Sequence, residues 1–285
     1  MKICILGNCQ AQHMEMMLAT ARRDIEVVRL DPVFMMTAEH KDGVYAKLAE
    51  ADFVFAQRIS DEFKMDWLSS AEIKKSFGDK VTIWPNIYFD GYFPGVQYIY
   101  LGGWGKLLGP LGDYHFEQIS AAHQRGATIA EAQEAFSEEP LFQKAPDPFG
   151  RSLGQLRARE TDVDVPISDF IGDHLAAQRL FYTPNHPLND LLGEMLRRLT
   201  ERVGLEFEVD KAVAAPYRLD ECYIPASPAI VRKFGLPFDG EPAYRGRTVL
   251  SIADHKVELG EIQVYSVEAL TEAFYRVYDV VRGRA

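Results

Sequence analysis

The sequence predicts an α/β protein built on a parallel sheet covered by helices on both faces. Three observations carry that prediction. Short runs are apolar at consecutive positions instead of alternating, helical patterns separate them, and Gly, Asp or Pro stops three of the four runs. The chain of 285 residues is long enough for one large core with an appended part.

The elements follow in order. The run from Ile3 to Leu6 predicts a first strand, and Gly7-Asn8-Cys9-Gln10 turns it into a helix with Met14, Met17, Leu18 and Ala21 on one side. A second strand is expected from Ile25 to Leu30, ended by Asp31-Pro32, then a helix near Val44 to Glu50 and a strand at Phe53 to Ala56. A helix over Asp61 to Phe77 leads to a fourth strand, Val81 to Trp84, stopped by Pro85. Gly91 to Gly112 is rich in Gly, Pro and aromatics, and a largely helical region runs on to about Gly204. Within it, Phe136 to Asp164 reads as loop because of Pro140, Pro146 and Pro148. After Pro187, expected in the first turn, Leu188, Leu191, Leu192, Met195, Leu196, Leu199 and Val203 recur at helical spacing. The remainder predicts a short strand at Thr248 to Ile252 and a terminal helix from Val267 to Val281. The expected division is a catalytic domain over 1–205 and a smaller α+β extension over 206–285.

Composition narrows the function. Against 42 Asp+Glu stand 31 Lys+Arg, a net charge of -11, with no basic tract of the kind a nucleic-acid phosphate backbone requires. Nucleic acid is therefore not an expected partner, and an anionic ligand must meet a local group of cations. Cys4, Cys9 and Cys222 form neither a disulfide framework nor a Cys-x-x-Cys site, and no Cys/His spacing suits a metal. With no leader-like segment and no apolar run long enough to span a bilayer, the expectation is a soluble, cytoplasmic protein without bound metal.

In parallel sheets ligands bind beyond the carboxyl ends of the strands, which here gathers Gly7 to Gln10, Asp31-Pro32, Gln57-Arg58 and Pro85 to Tyr88. Cys9 sits at a strand-to-helix turn, where the helix dipole and exposed amides favour the thiolate. Gly7 permits a positive φ and close backbone approach, and Asn8 and Gln10 offer amides that could hydrogen-bond an oxyanion. Cys4, inside the strand, illustrates the alternative of a small packing cysteine. His186, held in Thr183-Pro184-Asn185-His186-Pro187, is the first candidate base; helix capping is its plain alternative. Asp190 could orient it or simply complement the helix dipole. His115 in Asp113-Tyr114-His115 is the second. His13, His40, His123, His174 and His255 show no convergent neighbours in the sequence.

Two phosphate-binding patterns fall short. Gly7 to Gln12 with Asp31 lacks the second and third glycines of a dinucleotide turn, and Gly102-Gly103-Trp104-Gly105-Lys106-Leu107 lacks the strand and Ser/Thr of a P-loop. Lys106, Arg58, Arg151 and Arg179 remain candidate cations for a phosphorylated ligand. The aromatic segment Pro85 to Pro94 offers rings that could cover a base or sugar or plug the core.

Gly7-Asn8-Cys9-Gln10, Gln57, the Pro85-Tyr88-Gly91-Tyr92-Pro94 segment, Asp113-Tyr114-His115 and Arg179-Leu180-Phe181 leading into Asn185-His186-Pro187 together resemble the WcbI-type polysaccharide biosynthesis proteins over roughly residues 1–205. The resemblance implies a Rossmann-like or SGNH-like sheet with flanking helices and a helical middle region. It also implies a coenzyme A-binding acetyltransferase that modifies sugar hydroxyls of a capsular or other surface polysaccharide. By position, Cys9 takes the place of the family's cysteine and His186 that of its histidine, with Asn8 beside them. Gly7, Gln10, Gln57, Arg58, Tyr88, Tyr92, Lys106, His115 and Asn185 fall in the expected binding set. Tyr92-Phe93-Pro94 departs from an expected Tyr-His-Pro.

Two mechanisms fit these residues: an acetyl-Cys9 intermediate with His186 as base, or direct attack by a sugar hydroxyl activated by His186, with Cys9 and Asn8 holding the oxyanion. An SGNH-type esterase or thioesterase and a non-catalytic coenzyme A-binding protein are the rival readings.

Overall fold

The computed structural model describes residues 1–137, 146–238 and 243–283. These divide into two compact units that interleave along the chain instead of meeting at one boundary near residue 205. The first comprises Met1–Tyr88, Leu153–His174 and Asn185–Leu219; the second comprises Phe89–Ser152, Leu175–Pro184 and Asp220–Ala285.

The first unit holds the predicted sheet. Strands β1 (Lys2–Leu6), β2 (Glu26–Val28), β3 (Phe53–Gln57) and β4 (Val81–Trp84) are all parallel and stand in the order β2-β1-β3-β4. Ile3 is in register with Val27 on one side and Phe53 on the other, and Ala56 with Ile83. Consecutive apolar residues are required because both faces are covered. Cys4, Leu6, Val54, Ala56, Val81 and Ile83 face a core completed by Val44 and Leu48 of helix α2 (Lys41–Glu50) and Ile73 of helix α3 (Ser70–Phe77). Helix α1 (Cys9–Ala21) buries Met14, Met17 and Leu18 and packs against the helix Asn189–Arg202, whose Leu192, Met195, Leu196 and Leu199 form its apolar stripe.

Several boundaries move for local reasons. The helix expected from Asp61 begins only at Ser70, because the Ser69 hydroxyl accepts from the Glu72 amide at 3.3 Å and caps it there. Pro187 belongs to a two-residue strand, His186–Pro187, and the following helix starts only at Asn189. The segment read as loop contains the helix Pro148–Arg159, with Pro148 at its first position, where a missing N–H costs nothing. Pro140 lies outside the described residues.

In the second unit the single predicted strand is one arm of a hairpin, Tyr244–Ala253 with Lys256–Tyr265, joined by Asp254 and His255 at φ 49° and 60°. Two positive φ values define the turn that matches strand twist. The helix Val267–Val281 follows with the predicted bounds, its start fixed by the Ser266 hydroxyl accepting from Ala269.

Candidate active site

In the order β2-β1-β3-β4, the chain leaves β1 for one side and returns on the other, so the crevice beyond the carboxyl ends of β1 and β3 is the topological switch point. Gly7 to Gln10 and Gln57 occupy it. Gln57 clamps the turn: its Oε1 accepts from the Asn8 amide at 3.0 Å and its Nε2 donates to Gln10 Oε1 at 3.1 Å. Gly7 is explained by this clamp and not by positive φ. A Cβ there would come within 2.9 Å of the Cβ atoms of Ala11 and Gln57. The Asn8 side chain is the N-cap of α1, accepting from the Gln10 amide at 2.9 Å, and its Nδ2 faces Asn86 Oδ1 at 3.4 Å. That engagement weakens the case for Asn8 as an oxyanion donor.

Gln10 is fully buried and joins four segments. Its Nε2 donates to the carbonyls of Ile87 at 2.7 Å and Asn185 at 2.8 Å and lies 3.1 Å from Asn185 Oδ1, while its Oε1 also accepts from the Ile87 amide at 3.2 Å. One turn further along α1, His13 Nε2 lies 2.9 Å from Asn189 Oδ1. Asn189 Nδ2 in turn donates to the carbonyls of Val213 and Tyr217 at 3.2 and 3.1 Å. The segment carrying His186 is thus stapled on both sides to the first turn and a half of α1, which begins at Cys9. Both staples escaped the sequence reading. Their trace was there: Asn189 lies three residues before Leu192, a polar side chain on an otherwise apolar stripe.

Cys9 and His186 are each half-buried. No acidic residue lies in the first turn of α1 to oppose a thiolate at Cys9. The other two thiols are held in their protonated form. Burial pushes Cys4 and Cys222 each up to about 12, and Cys222 Sγ turns onto the Leu111 carbonyl at 3.5 Å. Asp190 is an exposed first-turn acid of its helix.

Among the predicted binding residues, Arg58 and Tyr88 also belong to the first unit. Arg58 stands beyond β3, its amide donating to the Trp84 carbonyl at 2.7 Å and its Nε to Asp162 at 2.5 Å. Tyr88 is half-buried beside Arg159, which donates to its carbonyl at 2.9 Å and lies 5.9 Å from its ring centroid. Arg159 is a cation at the strand ends that the sequence reading passed over, because it closes the helix taken for loop.

Tyr92, Lys106 and His115 fall in the second unit; burial corrects Tyr92 and His115, while Lys106 is exposed. Tyr92 is fully buried among Phe89, Phe149 and Phe181, its hydroxyl donating to the Leu175 carbonyl at 2.6 Å. It is a core plug, as are Phe89 and Phe93. Lys106 closes a small hairpin through Gly102 to Gly105 and pairs with Asp113 at 2.7 Å. His115 is fully buried, with Nε2 on the Leu107 carbonyl at 3.0 Å and Nδ1 on Tyr278 Oη at 2.8 Å. Burial lowers its pKa to about 4, so it is a neutral packing residue and not a base. Arg151 pairs with Asp90 at 2.9 Å, and half-buried Arg179 serves Tyr223 and the carbonyls of Phe181 and Ile224. Among the described residues no group of His, Cys, Asp and Glu has a metal-site arrangement, and no helix is long and apolar enough to cross a membrane.

Comparison with known proteins agrees with the fold. A solved structure of WcbI, described as a novel polysaccharide biosynthesis enzyme in its native form without a disulfide bond between coenzyme A and one of its cysteines, superposes with a TM-score of 0.73. It is 22% identical, and the match covers 100% of this chain and 90% of that one. No curated protein matches. The family model of the polysaccharide biosynthesis enzyme WcbI matches residues 2–208. The chain belongs to the WcbI family of polysaccharide biosynthesis enzymes.

Proposed function

We propose that this enzyme transfers an acetyl group from acetyl-coenzyme A to a sugar hydroxyl during surface polysaccharide synthesis, with Cys9 and His186 as its reacting pair. The observation that carries the reading is the double staple, Gln10 to Asn185 and His13 to Asn189, which registers the His186 segment against the helix turn that starts with Cys9. Rigid placement of a base beside a nucleophile is what acyl transfer needs. The solved WcbI structure, in whose description coenzyme A and a cysteine appear together, supports the choice of donor.

His186 takes the thiol proton, and the Cys9 thiolate adds to the thioester carbonyl. Collapse of the tetrahedral adduct expels coenzyme A thiolate, which recovers the proton from His186. The sugar hydroxyl then loses its proton to His186 and attacks the acetyl-cysteine. The sugar ester leaves, and the proton returns to Cys9. The helix dipole of α1 favours the negative charge of the thiolate and of the oxyanion beside it.

Mixing the protein with acetyl-coenzyme A labelled in the acetyl group, followed by peptide mass mapping, is expected to place the label on Cys9. His186→Ala should slow that labelling by about 100-fold or more. Turnover retained in Cys9→Ala would remove the covalent route, and release of acetate without transfer to any sugar would identify a hydrolase.

A further inference from the structure

Beside α1, on the flank of the sheet closed by edge strand β2, lies a cavity of about 420 Å³. Its size is that of a small-molecule site. The walls are Gln12, Glu15 and Met16 of α1, Arg29 and Asp31 just beyond β2, and Lys47 of α2. The acyl-transfer chemistry uses none of them.

Its position relative to Cys9 follows from helix geometry. Gln12 and Met16 stand at i+3 and i+7 from Cys9, on the same helix face. With a rise of about 1.5 Å per residue, the cavity runs from about 4.5 to about 10 Å along the axis from Cys9. A ring seated there is close to the thiol, whereas the nucleotide end of coenzyme A is separated from its sulfur by the whole pantetheine arm.

The lining also has a chemical character. A carboxyl and an amide side by side suit ring hydroxyls, which both donate and accept, and Met16 offers an apolar wall to the ring's C–H face. Arg29 and Lys47 are exposed and form no ion pair among the described residues; Lys47 Nζ donates only to the Arg29 carbonyl, at 2.9 Å. They supply a local positive field in an acidic protein.

We propose that this cavity is a subsite for a sugar ring bearing a carboxylate or phosphate, with the anion on Arg29 and Lys47 and the hydroxyls on Gln12, Glu15 and Asp31. It rests on the acyl-transfer reading only in making that ring the acceptor. Glu15 is 5% exposed, and burial raises its pKa to about 7; the Leu30 amide, Arg29 and Lys47 favour its charge, and Asp31 opposes it. An anionic sugar should therefore bind more weakly as pH rises through 7 and Glu15 ionises.

The test is calorimetric titration of the full chain with glucuronate, glucose 6-phosphate and glucose at about pH 6 and about pH 8. The two anionic sugars are expected to bind at least about tenfold more tightly than glucose, and glucuronate, whose charge is the same at both pH values, should show a smaller preference at the higher pH. Arg29→Ala and Lys47→Ala should each remove most of that preference while changing coenzyme A affinity less than about twofold. Equal binding of the three sugars, or a preference that both variants keep, overturns the proposal. So does a loss of coenzyme A affinity with sugar binding unchanged, which would assign the cavity to the donor nucleotide. Binding is read without turnover, so a chain that transfers no acetyl group refutes the acyl-transfer reading and leaves this result standing.

Discussion

Replacing Glu15 with Gln tests the electrostatics of α1 directly. Glu15 is 5% exposed, its Oε1 accepting from the Leu30 amide at a long 3.4 Å. Burial raises its pKa from 4.5 to about 7, against the smaller opposing pull of that amide, Arg29 and Lys47. Between those two values the unfolded chain has released the proton and the native chain still holds it. Stability must therefore fall as pH rises from 4.5 to about 7, and the loss is complete above that. At about 1.4 kcal/mol per tenfold change in proton affinity, the full cost is about 3 kcal/mol. Gln keeps the amide acceptor and the shape but cannot ionise. Urea unfolding of both proteins at about pH 4.5 and about pH 8 should show Glu15→Gln gaining about 3 kcal/mol more at the higher pH. The comparison between pH values cancels any fixed difference between a carboxyl and an amide. An equal stability change at both would refute the argument that a buried ionisation is being removed.

Other consequences follow from single contacts. Gln10→Ala should cost about 2–4 kcal/mol in urea unfolding, because it strands the carbonyls of Ile87 and Asn185, and should abolish Cys9 labelling by acetyl-coenzyme A even where the fold survives. Tyr92→Phe should cost about 1–2 kcal/mol through the lost bond to Leu175 yet leave coenzyme A affinity unchanged; a large affinity loss would restore Tyr92 to the binding set. Burial holds His115 near 4, so between 6.5 and 4 the unfolded chain takes up a proton that the native chain refuses, and stability falls as pH drops through that window. His115→Gln should flatten that limb of the pH profile, and an unchanged slope would contradict the assignment. Asp162→Asn releases Arg58 and should tighten coenzyme A binding by up to about fivefold; unaltered or weaker binding would take Arg58 out of the site.

What the sequence displayed depended on how local the cause was. Strands β1, β3 and β4 were legible because each is an apolar run set by burial on two faces, and the terminal helix because Ser266 and its apolar stripe mark it within a few residues. The Ser69 cap was also written locally, as Ser-Ser-Ala-Glu, but the apolar residues Phe63, Met65 and Trp67 ahead of it masked the true start. The helix Pro148–Arg159 was hidden by prolines, one of which is a helix starter, and with it went Arg159. The Lys256–Tyr265 strand carries charged and apolar residues without clean alternation, in keeping with the register shifts of its hairpin. At the site, Cys9 and Gln57 could be placed from strand ends alone. The pairing of His13 with Asn189 spans 176 residues, and only the assembled unit brings the two together.

If the donor is the proposed acetyl-coenzyme A, the acidic composition sharpens how its phosphates are held. Every cation chosen from the sequence for that task is already engaged: Arg58 with Asp162, Lys106 with Asp113, Arg151 with Asp90, and half-buried Arg179 with Tyr223 and backbone carbonyls. Engagement is not the same as unavailability. The Arg58 and Asp162 side chains are 32% and 56% exposed, and such a pair in water is worth about 0–1 kcal/mol. A phosphate, with more charge and more acceptor oxygens than one carboxylate, can displace Asp162 at little cost. Arg179 has less freedom, because its guanidinium lies 4.2 Å from the Tyr223 ring centroid and donates to the Phe181 and Ile224 carbonyls, which its withdrawal would strand. The first unit therefore keeps two kinds of cation near the strand ends. Arg58 is exchangeable and stands beside the clamp on the Cys9 turn, while Arg159 is oriented by the Tyr88 carbonyl, and both can serve an anion without any net basic surface.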